Sequence, residues 1–300
     1  MSTPPPAQGA PGAADSVQQL HLNNAKDPKI PDPDRRRLRV YAYDPSLEAQ
    51  LKTLHINEAV LEVRWEPLEP GPVGEYIEVV DVDPSSGACY APANLDHPYL
   101  LASNGYAPSE ANARFHHQMV YAVSMKTIEH FERALGRVAL WSQRWTPAEK
   151  ERVKFVRRLR IYPHALREEN AYYSPDKKAL LLGYFPARAE DSRIDLTGTI
   201  VFSCLSYDII AHETTHALLD GLHRRYSEVS SNPDMAAFHE AFADIVALFQ
   251  HFTIPEALRD QLARTRGDLR EQNILGGLAI QFGDATSGRG ALRDFIGAFD

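Results

Sequence analysis

Two histidines and a glutamate stand at a spacing that suits a metal ion. The segment His212-Glu213-Thr214-Thr215-His216 reads H-E-x-x-H. Histidines four residues apart lie one turn apart on one helix face, so both rings can reach the same ion. Glu213 projects beside that face, where its carboxylate can take a proton from a water molecule that the metal activates. The pattern predicts a zinc site, and the alternative is a helix with two surface histidines.

The residues around the motif predict a helix that turns both histidines inward. No helix breaker interrupts the chain between Leu205 and the motif, and Asp220-Gly221 provides a stop. One stripe, with steps of four, three, four and three residues, runs through Leu205, Ile209, His212, His216 and Leu219. Inward-facing imidazoles need polar partners, and a shared metal ion would satisfy both rings.

A zinc site of this kind needs a third protein ligand and one open position, and three side chains are candidates. His223 lies seven residues past His216, whereas the H-E-x-x-H-x-x-G-x-x-H pattern requires six, so that assignment fails. Asp220 lies one turn beyond His216 and fits better as an outer partner of the site. Glu240, in the next predicted helix, is the best candidate for the third ligand.

That next helix is predicted from its capping residues and two stripes. Asn232 or Asp234 can cap its start, and Pro233 is tolerated in a first turn. One apolar face consists of Phe238, Phe242, Ile245, Phe249 and Phe252. A narrower stripe opposite consists of Ala236, Glu240, Ala243, Asp244 and Ala247. The alanines would let the metal helix approach closely, so that Glu240 completes the site and Asp244 orients a ligand histidine. The alternative is a solvated acidic face.

With these residues in view, the chain resembles the thermolysin family of zinc endopeptidases, which are gluzincins. Residues 208–220 resemble that family's metal helix, and residues 239–244, His-Glu-Ala-Phe-Ala-Asp, resemble its Asn-Glu-Ala-x-Ser-Asp segment. Residues 170–173 resemble its substrate-pairing edge strand, and residues 115–135 its long amino-terminal helix. The similarity covers about residues 105 to 300, and the motif at its centre is highly specific.

The resemblance implies a fold, a reaction and a set of site residues. The fold is α+β and zincin-like, with a mixed sheet and a long helix before a mainly helical half. The reaction is hydrolysis of peptide bonds, with Glu213 as the base. Zinc is held by three ligands, His212, His216 and Glu240. Asp244 and Asp220 support these ligands. The substrate backbone pairs with Asn170, Ala171 and Tyr172.

The sequence departs from the family pattern at several places. The connector between His216 and Glu240 is a few residues longer than usual. The family's tyrosine near the substrate, which would donate to the developing oxyanion, is only loosely matched by Tyr226. Family members often bind calcium through an acidic cluster after the third-ligand helix. The matching residues here, 250–253, read Gln-His-Phe-Thr, which argues against a calcium site.

A further departure concerns the end of the sequence. Residues 287–293 resemble a family segment whose arginine, here Arg293, would hold a substrate carbonyl and brace Asp244. The family's transition-state histidine would follow a few dozen residues later, but no histidine follows His251. Two alternatives to a complete protease therefore stand: an incomplete piece of a longer protease, and a zinc-binding interaction module that does not cleave.

Composition narrows the classes of partner. Against 32 Lys and Arg the chain has 40 Asp and Glu, a formal charge of −8. This argues against nucleic acid and an anionic membrane surface, and leaves a peptide or protein substrate. Residues 1–20 lack the apolar core of a signal peptide, so a cytoplasmic location is the default, with non-classical export still open. Cys89 and Cys204 lie far apart in sequence and indicate reduced thiols.

Pattern and composition divide the chain into three parts. Residues 1–35 are rich in Pro, Ala, Gly and Asp and are expected to be a disordered tail. Residues 36–204 should form a mixed α/β subdomain with a helix near 111–136, and residues 205–300 a helical zinc-binding region, itself incomplete. His116 and His117 on the long helix are interpreted as structural, because adjacent helical residues diverge and neither has a carboxylate beside it in the pattern.

Overall fold

A computed structural model describes residue 21 and residues 32–49, 54–143, 154–187, 199–223, 233–268, 274–287 and 293–294. Residues Arg35–Asp300 belong to one compact unit. This unit combines a mixed sheet with packed helices, which confirms the predicted α+β class. Within the described ranges no helix combines the length and apolar character needed to cross a membrane.

The described elements alternate between strand-rich and helix-rich stretches. The strands are β1 Arg35–Tyr41, β2 Glu58–Arg64, β3 Ile77–Val79, β4 Val82–Asp83, β5 Ala88–Cys89, β6 Leu159–Leu166, β7 Ala171–Ser174, β8 Ala179–Pro186, β9 Ile200–Phe202, β10 Gly277–Leu278 and β11 Arg293–Asp294. The helices are α1 Leu54–Asn57, α2 Pro98–Ala102, α3 Ala113–Leu135, α4 Tyr207–Leu222, α5 Pro233–His251, α6 Pro255–Thr265 and α7 Ile280–Ser287. Two 3-10 turns cover Pro45–Ala49 and Ser203–Leu205.

The main sheet is mixed and ends on β7. Its order is β3-β6-β8-β7; β3, β6 and β8 are parallel, and β7 and β9 each run antiparallel to β8. The central strand β8 is buried on both faces over most of its length, as expected for a covered sheet. Among the described strands, β7 has a partner on one edge only. On the other edge the Tyr173 N–H donates to Glu213, and no described strand lies beside the rest of that edge.

The long helix α3 contacts both the main sheet and α4. The Asn112 side chain accepts a hydrogen bond from the Arg114 N–H at its start. Gly136, with φ of 66°, takes the left-handed conformation at its end, which suits glycine. The inner face of α3 is buried at Phe115, Met119, Ala122, Met125, Ile128 and Phe131, whereas Leu135 at its end is exposed. Helix α3 packs against α4, the helix that carries the H-E-x-x-H motif.

Helix α5 packs on α4 through small residues. Ala243 and Ala247 are fully buried, so the two backbones approach closely and the acidic stripe faces α4. The aromatic stripe points the other way: Phe238, Ile245 and Phe249 are exposed, Phe249 at 62%. The narrow alanine stripe, rather than the wide aromatic one, therefore makes the contact that positions the acidic residues.

Candidate metal centre and cleft

His212 and His216 on α4 meet Glu240 on α5, and we call these three residues the cleft cluster. The two Nε2 atoms lie 2.9 Å apart. The Glu240 carboxylate lies 3.4 Å from the Nε2 of His212 and 3.5 Å from that of His216. One donor atom from each residue falls within 4.8 Å of the others. The local helix spacing brings the imidazoles together, and the α4–α5 packing adds the carboxylate.

Groups behind the two rings fix which nitrogens face the cleft. The Nδ1 of His212 lies 2.9 Å from Asp244, whose carboxylate can only accept, so Nδ1 carries a proton and Nε2 faces Glu240. The Nδ1 of His216 lies 2.5 Å from the Nδ1 of His239, and the two rings stack. His239 occupies the position where the resembling family has asparagine. Because Asp244 contacts the Nδ1 of His212, it lies where an outer partner of a metal ligand is expected.

Charge in the cleft cluster suits a cation. Burial alone would lower the pKa of His212, but its hydrogen bonds with Asp244 and Glu240 outweigh burial and raise the pKa to about 9. Burial, followed by the neighbouring His212 charge, lowers the pKa of His216. A divalent cation would satisfy both Nε2 lone pairs and the Glu240 carboxylate.

Glu213 lies on α4 and faces the edge strand β7. Its carboxylate accepts a hydrogen bond from the Tyr173 backbone N–H at 2.7 Å. The glutamate is buried, and it also lines the cleft with His212. Because the strand amide fixes one carboxylate oxygen, Glu213 is oriented beside the cleft cluster without being one of its three donors.

Asp220, predicted as an outer partner, ties the end of α4 to the sheet. Its Oδ2 accepts hydrogen bonds from the Tyr173 hydroxyl and from Lys178 Nζ, each at 2.7 Å. Burial, followed by the Asp220 charge, raises the pKa of Tyr173. Tyr173 therefore contacts the metal helix twice, through its backbone at Glu213 and through its hydroxyl at Asp220. Asp220 braces the helix that carries the cleft histidines.

The cleft has a volume of about 240 Å3, with the edge strand on one side. Asn170 and Ala171 line that side. The chain at Asn170 can lie close to β8 because residue 183 is glycine: a Cβ there would stand 2.3 Å from the Asn170 carbonyl oxygen. Another part of the wall consists of Leu278, Ala279 and Phe282. Its backbone is held by Asp208, which accepts a hydrogen bond from the Ala279 N–H at 3.0 Å.

For three other predicted site residues, the structure gives less detail about their position relative to the cleft. Tyr172 lies on β7 with 38% of its surface exposed. Arg293 lies on β11 opposite Leu278, which lines the cleft; the role of its guanidinium stays a prediction. Tyr226 lies outside the described residues, so its role also stays a prediction. The residues expected in place of a calcium cluster make internal contacts, including His251 with Asp208.

The sequence interpretation missed a second cluster. His116, taken as structural, lies 2.9 Å from His164, and both pack beside the buried Cys204. Asp81 lies between His164 and His117, so both histidines of the long helix belong to a carboxylate network after all. Burial opposes ionisation of Asp81, but the histidine hydrogen bonds lower its pKa. No spacing in the sequence connects residues this far apart, so no local pattern could have found the cluster.

A comparison with models of known protein families found no match for the chain. A comparison with curated proteins found no significant match. The function of the chain is therefore inferred from its own residues and their geometry.

Proposed function

We propose that this chain is a zinc-dependent endopeptidase of the zincin type, similar to thermolysin. One observation carries the proposal. Glu213, which is not one of the three donors of the cleft cluster, lies beside that cluster and contacts β7, whose edge can hold a peptide. A site that only bound a metal would need neither feature. The proposed partner is an extended peptide or an unfolded protein segment.

The donor set fits zinc. Two imidazole nitrogens and one carboxylate, with the rest of the coordination sphere open, are typical of catalytic zinc sites. His212, His216 and Glu240 would hold the ion, and Asp244 would orient the first ring. Bound zinc would polarise the scissile carbonyl and make water acidic enough to lose a proton near neutral pH.

The chain's own groups bind the substrate and move the proton. Alternate residues of a strand present their backbone groups to the same edge, and the Tyr173 N–H on β7 points toward Glu213. The backbone of Ala171, two residues earlier, therefore faces the same side and lines the cleft. A peptide paired there would lie beside Glu213. This carboxylate would remove a proton from water and deliver it to the amine that leaves.

A specific observation favours the second candidate, a zinc-binding module without turnover. Peptide hydrolysis needs a hydrogen-bond donor for the negative charge that develops on the carbonyl oxygen. Among the described cleft-lining residues, the side chains that can donate are those of Asn170 and His212. The Asn170 side-chain oxygen accepts a hydrogen bond from the Ala171 N–H. The NH2 group of the same side chain is therefore still available as a donor. Tyr226 is the further proposed donor, and Arg293 would hold a substrate carbonyl.

Cleavage of a casein-type unfolded substrate by zinc-loaded protein tests the proposal. Glu213→Gln keeps the shape and all three ligands but removes the base. We expect it to keep zinc and to lose cleavage by about 10²–10⁴-fold. Glu256→Gln is the matched control, because Glu256 is exposed on α6 and is not one of the cleft-lining residues. This variant should cleave as the wild type does.

Two results would contradict the protease. Unchanged cleavage by Glu213→Gln would show that this glutamate is not the base. A wild-type protein that binds zinc and cleaves nothing in this assay would favour the interaction module.

A further inference from the structure

A second group of metal-binding side chains lies in the interior, and we call it the interior cluster. It consists of His116 on α3, His164 on β6 and Cys204 in the 3-10 turn just before α4. One donor atom from each lies within 4.8 Å of the others. All three residues are buried, with exposures of 2%, 3% and 0%. The cleft-lining residues include none of them.

The hydrogen bonds around the two rings bring two lone pairs face to face. The Nε2 of His116 lies 2.9 Å from the Glu110 carbonyl oxygen, which can only accept, so the proton of a neutral His116 sits on Nε2. The Nδ1 of His164 lies 2.9 Å from the Asp81 carboxylate, so its proton sits on Nδ1. The remaining nitrogens, His116 Nδ1 and His164 Nε2, face each other at 2.9 Å. Two lone pairs at this distance repel unless a cation lies at them.

The cation that would relieve this repulsion is either a proton or a metal ion, and the third donor, Cys204, distinguishes the two. A proton shared by the two rings would need no sulfur nearby. The Cys204 thiol is instead buried within reach of both nitrogens. Thiolate and imidazole together are ligands that zinc and cuprous ions prefer. We propose that His116, His164 and Cys204 bind a thiophilic metal ion, Zn2+ or Cu+, as the Cys204 thiol releases its proton to solvent.

The surroundings indicate a structural rather than a catalytic role. The Phe202 ring lies 4.9 Å from the His116 ring, and the Tyr90 ring 4.9 Å from the His164 ring, between centroids. These rings pack against the two histidines, and the three buried donors do not line the cleft. Closed sites of this type stabilise folds. The bound ion would join the long helix, the sheet and the segment that starts the metal helix.

The local chain geometry at His164 supports a built site. Pro163 precedes His164 where the pairing of β6 with β8 changes register, between Tyr162 and Leu166. A register change of this kind redirects side chains that a regular ladder would leave on the sheet faces. Asp81 then accepts from the redirected ring and fixes it, as outer partners of metal-bound histidines do.

Cobalt substitution tests the proposal through sulfur. Protein produced with Co2+ should show a thiolate-to-cobalt charge-transfer band in the near ultraviolet. The cleft cluster contains no sulfur, so its metal does not contribute to this band. His216→Ala, which disables the cleft cluster, should leave the band unchanged. The test therefore holds even if the proposed protease function fails.

The two cysteines provide the variant and its control. Cys89 is exposed and outside the cluster, so Cys89→Ser should keep the band and all bound metal. Cys204→Ser should lose the band and about one metal equivalent per chain. Parallel production with zinc and with copper, followed by elemental analysis, identifies which ion the cluster selects. If Cys204→Ser does not fold, Cys89→Ser still decides, because its band can come only from Cys204.

Absence of the band from the cobalt protein, together with absence of Cys204-dependent zinc and copper, would overturn the proposal. The two rings would then share a proton. A band that disappears in Cys89→Ser would likewise overturn it.

Discussion

The cleft cluster and the interior cluster place two ring nitrogens at the same separation, 2.9 Å, in very different surroundings. In each, an aspartate holds the far nitrogen of one ring: Asp244 in the cleft and Asp81 in the interior. The cleft cluster adds a carboxylate, Glu240, whose side chain is 54% exposed. The interior cluster adds a fully buried thiol, Cys204.

The two clusters therefore differ in proposed role: the cleft cluster takes part in a reaction, and the interior cluster stabilises the fold. A histidine pair with an outer carboxylate can bind a metal ion, but these groups alone do not catalyse a reaction. The chemistry proposed for the cleft requires Glu213 beside the pair and an edge strand to present a substrate. In the interior the equivalent space is taken by aromatic rings. We propose that the third donor and the access of solvent determine the role of each site.

The aspartates offer the strongest test of this comparison. Asp244→Asn and Asp81→Asn should each weaken metal affinity by about 10–100-fold at their own cluster only. Glu240→Gln should weaken the cleft site more than Asp244→Asn, because it removes a direct negative ligand. Chelator competition with cobalt-loaded protein measures this, since the thiolate band reports the interior alone. Loss of both metals on replacing either aspartate would show that the clusters are not independent.

A smaller effect concerns the contacts that hold α4 without any metal. Tyr173→Phe removes the hydroxyl that donates to buried Asp220 but keeps Lys178 as its partner. We expect about 1 kcal/mol lower unfolding free energy by urea titration. Tyr172→Phe on the same strand, half-exposed, is the control and should change stability by less than about 0.5 kcal/mol. Equal effects would mean that the Asp220 contact does not brace the helix.

Local periodicity was enough to predict the metal helix and its two histidines. The predicted helix ran from Leu205 to Asp220, and α4 covers Tyr207–Leu222. The start differs because Ser206 caps the helix, its side chain accepting from the Ile209 N–H. The alanine stripe around Glu240 also indicated which face of α5 would meet α4. Both signals lie within a few turns of one helix, where spacing determines direction.

The remaining features depend on contacts that no local pattern encodes. The hydrogen bond from Tyr173 to Glu213 arises from the packing of an edge strand on a helix 40 residues away. The interior cluster joins His116 to His164 across 48 residues, and a register change in β6 directs the second ring. Sequence spacing also gave no reason to pair Cys204 with either histidine.

Anomalous diffraction at the zinc absorption edge, from crystals of the zinc-loaded protein, tests the central claim most directly. We predict a peak in the cleft bonded to His212 Nε2, His216 Nε2 and a Glu240 oxygen, with the Glu213 carboxylate nearby but outside bonding distance. A peak bonded to Asp244 in place of Glu240 would contradict the ligand assignment. Absence of any peak between the two histidines would contradict the metal centre itself.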